Sequence, residues 1–227
     1  MTHQTVAIIP AFNEAKRVAN AISDARTYVD HVVVVDDCSR DETSRIALQA
    51  GAHVLRHPIN RGQGAALQTG TDYAIYRLGA DFIVHFDADG QMQGSEIPAL
   101  LAPLREGKAD IALGSRFLGK TENLPGSRKV TLMMGLLFTR VISGIRLTDT
   151  HNGFRAMTRA TALRLRIRLD RMAHASEILD QIIRLRIRYQ EIPVTIRYSE
   201  DTLAKGQSSL GAFTILKDFL VQKFFVN

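Results

Sequence analysis

The sequence predicts an α/β fold in which a mostly parallel sheet is sandwiched by helices. Short apolar runs alternate with amphipathic segments along the first half of the chain, and polar clusters follow the ends of those runs. Uninterrupted apolar runs are typical of strands buried on both faces, and strands that alternate with helices form parallel units with right-handed crossovers. Ligands of such sheets bind beyond the carboxyl ends of the strands, so the polar clusters are the first indication of function.

The first two strands and the helix between them have the clearest patterns. Val6–Ile9 is an apolar run that ends before Pro10, and Val32–Val35 is β-branched throughout, as buried strands often are. Between these runs, apolar residues recur at spacings of four, three and four, which places them on one helix face. These residues are Val18, Ile22, Ala25 and Val29.

The rest of the first half continues this alternation. A helix over Asp41–Ala50 ends at Gly51, and a helix over Ser95–Arg105 takes Ser95 as its N-cap. A longer helix is predicted over Gln63–Leu78. The strands predicted between these helices are Ala52–Leu55, Asp81–Phe86 and Ala109–Leu113.

The second half is predicted to extend the same domain, residues 1–227, because no linker or repeat separates the halves. Its predicted elements are helices over Arg128–Ser143, Ala160–Arg166, Ser176–Arg184 and Leu210–Val226 and a strand over Glu191–Tyr198. The last helix is amphipathic, with its apolar residues on one face. Two runs, Leu163–Arg168 and Ile183–Arg188, alternate aliphatic residues with arginine, which favours a strand over at least part of each run.

Composition excludes several protein classes. Of 227 residues, 45% are hydrophobic and one is cysteine, which excludes a disordered chain, a disulfide scaffold and a thiolate metal cluster. No signal peptide or apolar stretch of roughly 18 residues is visible, so we expect a cytoplasmic chain. The net charge of +6 indicates an anionic partner: nucleic acid, nucleotide phosphates or a membrane surface. Nucleic acid is not expected, because aromatic residues are not interleaved with the basic runs.

Two carboxylates, Asp87 and Asp89, stand one residue apart just after the predicted strand that ends at Phe86. Carboxylates at a strand end can share one Mg²⁺ or Mn²⁺, and such a metal usually also binds substrate phosphates. Alone, this pattern is more typical of a solvated turn. The motifs at the neighbouring strand ends therefore decide its interpretation.

Those motifs together resemble the family 2 nucleotide-sugar glycosyltransferases of the GT-A, Rossmann-like fold. They are Pro10–Glu14, Val35–Ser39, Asn60–Ala66, Asp87–Gln91 and Gly114–Phe117. The resemblance is close over residues 6–117 and looser over Asp149–Arg155 and Glu191–Val194. Within the family, the chain is most similar to the branch that moves a sugar onto a polyprenyl phosphate, as dolichyl-phosphate mannose synthases do.

The resemblance implies a donor half over residues 1–118 that binds a UDP- or GDP-sugar. The implied nucleotide-sugar residues are Pro10, Ala11, Glu14, Asp37, Arg61, Gly62, Asp87, Ala88 and Arg128. Asp87 and Asp89 would bind Mg²⁺ or Mn²⁺, with Gln91 adding a third oxygen. The chain departs from the family after Gln91, where Met92–Ser95 replaces a common histidine and acidic turn, so no histidine ligand is expected.

The resemblance also implies an acceptor half over residues 119–227. Asp149 is the candidate base or the orienter of the acceptor, and an ordinary structural turn is the alternative for its loop. Arg116 and Arg128 match positions that bind a lipid phosphate, for which the arginine fork is well suited. A phosphate acceptor is largely ionised at pH 7 and needs no strong base. We therefore expect Asp149 to orient more than it deprotonates, with Asp89, Asp149 and Arg116 as the catalytic residues.

The sequence thus predicts a metal-dependent, inverting glycosyltransferase with a polyprenyl phosphate acceptor. A sugar hydroxyl acceptor in surface polysaccharide or glycolipid assembly is the alternative, and a non-catalytic nucleotide-sugar-binding scaffold is a third reading. The arginines between Arg155 and Arg197 form either a docking surface for an anionic membrane or a solvated face. The phenylalanine-rich tail likewise forms either a membrane-binding helix or a helix packed on the core. The sequence leaves the base, the sugar and the oligomeric state open.

Overall fold

The computed structural model describes residues 3–122, 147–150, 152–169 and 173–197. Its strands are β1 Thr5–Ala11, β2 His31–Asp36, β3 His53–Arg56, β4 Phe82–His85, β5 Ile111–Glu122, β6 Arg155–Thr158 and β7 Tyr189–Arg197. Its helices are α1 Val18–Arg26, α2 Thr43–Gln49, α3 Gln63–Tyr76, α4 Ile97–Arg105, α5 Arg159–Arg164 and α6 His174–Arg184. The predicted helices over Arg128–Ser143 and Leu210–Val226 lie outside the described residues.

Within the described part of the chain, the strands form one sheet in the order β3-β2-β1-β4-β6-β5-β7. The ladders β1–β2, β1–β4, β2–β3 and β5–β7 are parallel, whereas β6 pairs antiparallel with both β4 and β5. The predicted mostly parallel α/β sheet is confirmed. The carboxyl ends of all strands except β6 therefore lie at one edge, which we call the carboxyl edge.

Helices cover both faces of the sheet, which is why the strands are apolar in succession rather than in alternation. Ala7 and Ile9 pack in one core with residues of α1 and α4, whereas Val6 and Ile8 pack in a second core with residues of α3 and α6. All four of these strand residues are fully buried. The sheet is thus a rigid layer that fixes the positions of the loops at its carboxyl edge.

Several sequence predictions about local structure are corrected. Ser95 is not an N-cap, because it lies inside a single 3₁₀ turn, Gly94–Glu96, that precedes α4. β1 continues through Pro10, which pairs with Val35 of β2 beyond the point where the pairing with β4 ends. The motif Gly114–Phe117 does not follow its strand but lies within β5, which continues to Glu122 because β7 pairs with it there.

The arginine-alternating runs are not strands. Leu163–Arg168 begins in α5 and leaves it after Arg164, and Ile183–Arg188 begins in α6 and ends just before β7. In the first run, the Gln181 side chain accepts from Arg166 N and donates to Arg166 O. A side chain thus supplies the backbone hydrogen bonds that a neighbouring strand would otherwise provide.

Candidate active site

The Asp37 carboxylate fixes the loop between β3 and α3. It accepts hydrogen bonds from the backbone N–H groups of Arg61 at 2.9 Å and Gly62 at 2.5 Å. His57 Nδ1 lies 2.7 Å from Asp37 Oδ1, and His57 Nε2 lies 3.0 Å from Thr69 Oγ1 of α3. Gly62 has a φ of +88°, a conformation that favours glycine. The structure therefore brings together Asp37, Arg61 and Gly62, with His57 as an additional member, and their contact with a nucleotide stays a prediction.

The loop after β1 is tied to the same end of β2. Glu14 N donates to Thr43 Oγ1 at 2.9 Å, and the Glu14 carboxylate forms an ion pair with Arg17 at 2.9 Å. Asn13, whose φ is +55°, donates its N–H to Ser39 Oγ at 2.9 Å. The Pro10–Glu14 segment thus borders the Asp37 loop, as a nucleoside pocket requires, and its contact with a base stays a prediction.

Asp87 follows β4 and lies against the loop that precedes β6. Gln63 Nε2, at the start of α3, donates to Asp87 Oδ1 at 2.8 Å. A Cβ atom on Gly153 would lie only 2.7 Å from Asp87 Oδ2, so glycine is what lets this loop approach the carboxylate. Two separate segments of the chain therefore hold the Asp87 carboxylate in place.

The electrostatics of this carboxylate fit a divalent cation. Burial and the neighbouring Asp89 raise the pKa of Asp87 to about 7, against the opposing effects of Arg155, Gln63 and Arg116. Two carboxylates that repel each other in a partly buried position are stabilised when a cation lies between them. Among the described residues, no three His, Cys, Asp or Glu side chains lie close enough together to bind one metal ion by themselves. Such an ion would need further oxygen ligands, for which Gln91, substrate phosphates and water are suited.

A buried arginine, Arg155, acts electrostatically on Asp87. Arg155, the first residue of β6, is 2% exposed and pairs in register with His85 of β4. Burial lowers the pKa of Arg155 to about 10, although Asp87 and Asp149 both act in the opposite direction. Burial, Arg155 and His174 lower the pKa of His85 to about 3, so His85 is neutral. Arg155 is therefore a buried positive charge that interacts with the carboxylates of both Asp87 and Asp149.

Asp149 and Arg116 form a buried ion pair at the carboxyl edge. Arg116 Nε donates to Asp149 Oδ2 at 2.6 Å, and Arg116 N donates to the same oxygen at 3.1 Å. The Arg116 side chain is 7% exposed and the Asp149 side chain 1%. The structure thus brings together the two predicted acceptor-side residues, and it does so by direct contact. Arg128, the other predicted phosphate ligand, lies outside the described residues.

Two contributors to this site were not predicted from the sequence: His57, and Glu191 as a partner of the Asp149 loop. Glu191 accepts hydrogen bonds from the backbone of Thr148 and Asp149. The looser resemblance around Glu191–Val194 was the only signal available for Glu191. A histidine twenty residues from its aspartate leaves no local pattern.

The run Ile183–Arg188 lies at the edge opposite to this site. Arg188 donates to the Asp110 carboxylate at 2.8 Å, and these two residues precede the amino ends of β7 and β5. Arg164 of α5 donates to Leu185 O at 2.8 Å at the same end. The longest helix in the described ranges, α3, has 14 residues, fewer than the roughly 18 apolar residues of a membrane span, so none of the described helices is a candidate for one.

Comparison with known proteins agrees with this architecture. The chain matches the family model described as glycosyl transferase family 2 over residues 6–165. It is 34% identical over 222 residues to the undecaprenyl-phosphate mannosyltransferase of Micrococcus luteus, with 92% of this chain and 88% of that relative covered. It is 30% identical over 239 residues to the UDP-N-acetylglucosamine–dolichyl-phosphate N-acetylglucosaminyltransferase of Methanococcus voltae, with 95% and 94% covered.

The fold is also found among solved structures. Glucosyl-3-phosphoglycerate synthase of Mycobacterium tuberculosis, in complex with Mn²⁺, UDP-glucose and phosphoglyceric acid, matches with a TM-score of 0.74. The match covers 96% of this chain and 78% of that one at 18% identity, so it concerns the fold alone. The predicted GT-A architecture is confirmed. Since the family model spans most of the chain and both relatives align over nearly their full lengths, this chain belongs to glycosyl transferase family 2 and is a glycosyltransferase.

Proposed function

We propose that this glycosyltransferase moves a sugar from a nucleoside diphosphate sugar to a polyprenyl phosphate, with inversion at the anomeric carbon and with a divalent metal. Two relatives at 30% and 34% identity are named for dolichyl-phosphate and undecaprenyl-phosphate acceptors, which supports this acceptor class. Residues 1–118 apart from Arg116 supply the donor side, and Arg116 together with residues 119–227 supplies the acceptor side. The donor base is uridine or guanosine, and the metal is Mg²⁺ or Mn²⁺.

The Arg116–Asp149 ion pair is the observation that carries the choice of acceptor. A general base must reach the proton of an acceptor hydroxyl, but the Asp149 carboxylate is 1% exposed and accepts two hydrogen bonds from Arg116. A phosphate monoester is largely ionised at pH 7, so it can attack without such a base. It needs a cation to hold it near another anion, and Arg116 at the carboxyl edge is such a cation.

The residues of the donor side then have separable tasks. Asp37 holds the Arg61–Gly62 loop in a shape that can approach the nucleotide, and Asp87, Asp89 and Gln91 would hold the metal. When bound, Mg²⁺ or Mn²⁺ neutralises charge on the leaving nucleoside diphosphate. Arg116, oriented by Asp149, binds the acceptor phosphate so that its oxygen faces the anomeric carbon from the side opposite to the diphosphate.

A transfer assay with a panel of donors and acceptors tests this proposal. Purified protein is incubated with UDP- or GDP-sugars and Mn²⁺ or Mg²⁺, and lipid product is measured with undecaprenyl or dolichyl phosphate. The matched control acceptor is the corresponding polyprenol, which has a hydroxyl in place of the phosphate. Product with the phosphate and none with the polyprenol supports the proposal. Transfer to the polyprenol instead would favour a hydroxyl acceptor, and no transfer with any pair would contradict the proposal.

A lipid acceptor also implies that the carboxyl edge of the sheet faces the membrane. Arg116 and the Asp149 loop lie at this edge, whereas Arg188 and the rest of the run Ile183–Arg188 lie at the other. A molecule that docked through that run would point its site away from the bilayer. We therefore propose peripheral membrane binding through the carboxyl edge, which favours the solvated-face alternative for this arginine run.

A further inference from the structure

The loop that carries Asp149 is fastened to β5 and β7 by a chain of polar contacts. Thr148 Oγ1 lies 2.6 Å from Ser115 Oγ on β5 and donates to Glu191 Oε1 on β7 at 2.8 Å. Thr148 N also donates to the Glu191 carboxylate at 2.8 and 3.0 Å. We call Ser115, Thr148 and Glu191 the latch. It joins three segments that lie more than thirty residues apart in the sequence.

The latch continues into the proposed acceptor site through one peptide group. Asp149 N donates to Glu191 Oε1 at 3.2 Å, which sets the direction of the peptide that precedes the Asp149 side chain. The Asp149 carboxylate in turn accepts from both the backbone and the Nε of Arg116. The Nε hydrogen bond fixes the plane of the guanidinium and hence the directions of its outer nitrogens.

Glu191 is not required merely to keep this loop on the protein. The residue before Thr148, Leu147, is fully buried in the core that also contains residues of α3 and α6, so apolar burial already anchors the loop. The Glu191 carboxylate accepts hydrogen bonds from three donors on the consecutive residues Thr148 and Asp149. These bonds therefore set the orientation of the loop rather than merely attach it to the protein. Charge-assisted hydrogen bonds of this kind are stronger and more directional than neutral ones.

We infer that Glu191 is a positioning residue for the transfer reaction, because it sets the orientation of the Arg116 guanidinium through Asp149. This inference rests on the proposed function for its catalytic consequence but not for its structural content. Glu191→Gln keeps the size of the side chain but removes its charge, so the three hydrogen bonds that Oε1 accepts become neutral and weaker. An amide NH₂ also replaces Oε2, which accepts from Thr148 N at 3.0 Å. The Asp149 carboxylate then turns, and Arg116 loses its fixed plane while its charge remains.

Two measurements on the full chain test the inference. In ¹⁵N–¹H spectra, the Arg116 Nε–H signal, assigned with Arg116→Lys, should be protected from exchange in the wild type and should shift and exchange faster in Glu191→Gln. In the transfer assay, kcat should fall by about tenfold to a hundredfold while KM for the donor changes by less than about twofold. If the wild type transfers no sugar, the proposed function fails, but the spectra still decide whether Glu191 orients Arg116.

Matched variants separate positioning from stability. Glu177→Gln removes a carboxylate that likewise accepts from two consecutive backbone N–H groups, those of Arg168 and Leu169, but outside the Asp149 loop. It should leave the Arg116 signal and kcat unchanged. Should Glu191→Gln fail to fold, Thr148→Val removes the latch hydroxyl and Thr148→Ser restores it. An unchanged Arg116 signal in Glu191→Gln, or equal kcat in Thr148→Val and Thr148→Ser, would overturn the inference.

Discussion

One added methyl group at Gly153 should disturb the proposed metal site. A Cβ at this position would lie 2.7 Å from Asp87 Oδ2 and 3.3 Å from Met92 Cε, whereas ordinary contacts begin at 3.4 Å. The carboxylate or the loop must therefore move by about 0.7 Å, the difference between 3.4 and 2.7 Å. The Asp87 side chain is short and is already held by Gln63 at 2.8 Å, so it has little freedom to give way.

We expect Gly153→Ala to weaken Mn²⁺ binding and catalysis together. A misplacement approaching 1 Å can cost up to about a hundredfold in rate, so we expect kcat/KM to fall by about tenfold or more. A tenfold rise in the dissociation constant for Mn²⁺ corresponds to about 1.4 kcal/mol. Electron paramagnetic resonance of free Mn²⁺ measures the first effect, and the transfer assay at saturating metal measures the second.

A second glycine variant controls for lost stability. A Cβ on Gly70 would lie 2.4 Å from Ile8 Cγ2 in the core, away from the carboxylates. Gly70→Ala should therefore lower the melting temperature and leave the affinity for Mn²⁺ unchanged. The reasoning is refuted if Gly153→Ala binds Mn²⁺ and turns over like the wild type.

Three other predictions concern the acceptor pair, the nucleotide loop and the buried histidine. Arg116→Ala should reduce transfer far more than Asp149→Asn, and the reverse order in kcat would show that Asp149 is a base. His57→Phe should raise the dissociation constant for UDP or GDP several-fold in calorimetry, because the Asp37 carboxylate that holds the loop before α3 loses its contact with His57. An unchanged dissociation constant would contradict this. Burial and Arg155 hold the pKa of His85 at about 3, below its ordinary 6.5, so the unfolded chain binds a proton first as the pH falls. Stability should drop below about pH 6.5 by at most about 1.4 kcal/mol per unit, and His85→Gln should flatten that part of the urea-midpoint profile.

The sequence predicts those parts of the fold in which local pattern and tertiary environment agree. The runs that begin at Val6 and Val32 are strands both in the sequence prediction and in the structure, because strands buried on two faces need apolar residues in succession. β6 was missed because its four residues begin with Arg155 and resemble a loop. Only the neighbouring strands β4 and β5 make this segment a strand. The first arginine run, Leu163–Arg168, was predicted wrongly because the Gln181 side chain supplies the backbone hydrogen bonds expected from a neighbouring strand.

The residues of the site likewise fall into those that a local sequence pattern indicates and those whose contacts depend on the folded chain. The motifs that contain Asp37 and Asp87 are recognisable in the sequence because strand ends and their polar residues are contiguous. Arg116 and Asp149 were expected on the acceptor side, but nothing local indicated that they pair directly, since 33 residues separate them. Glu191 reaches its loop across more than forty residues. Partners set by topology rather than by spacing are visible only in the folded chain.

The reversed direction of β6 has a consequence for how new specificities can arise. A parallel strand delivers to the carboxyl edge only the connection that leaves it. An antiparallel strand delivers the connection that enters it, and for β6 this is the segment of Asp149 and Gly153. The segment that enters β6 therefore contacts both sides of the site, because Asp149 pairs with Arg116 and Gly153 lies against Asp87. A lineage that changes its acceptor through this segment must thus keep the small residue beside Asp87 if it is to keep its donor site.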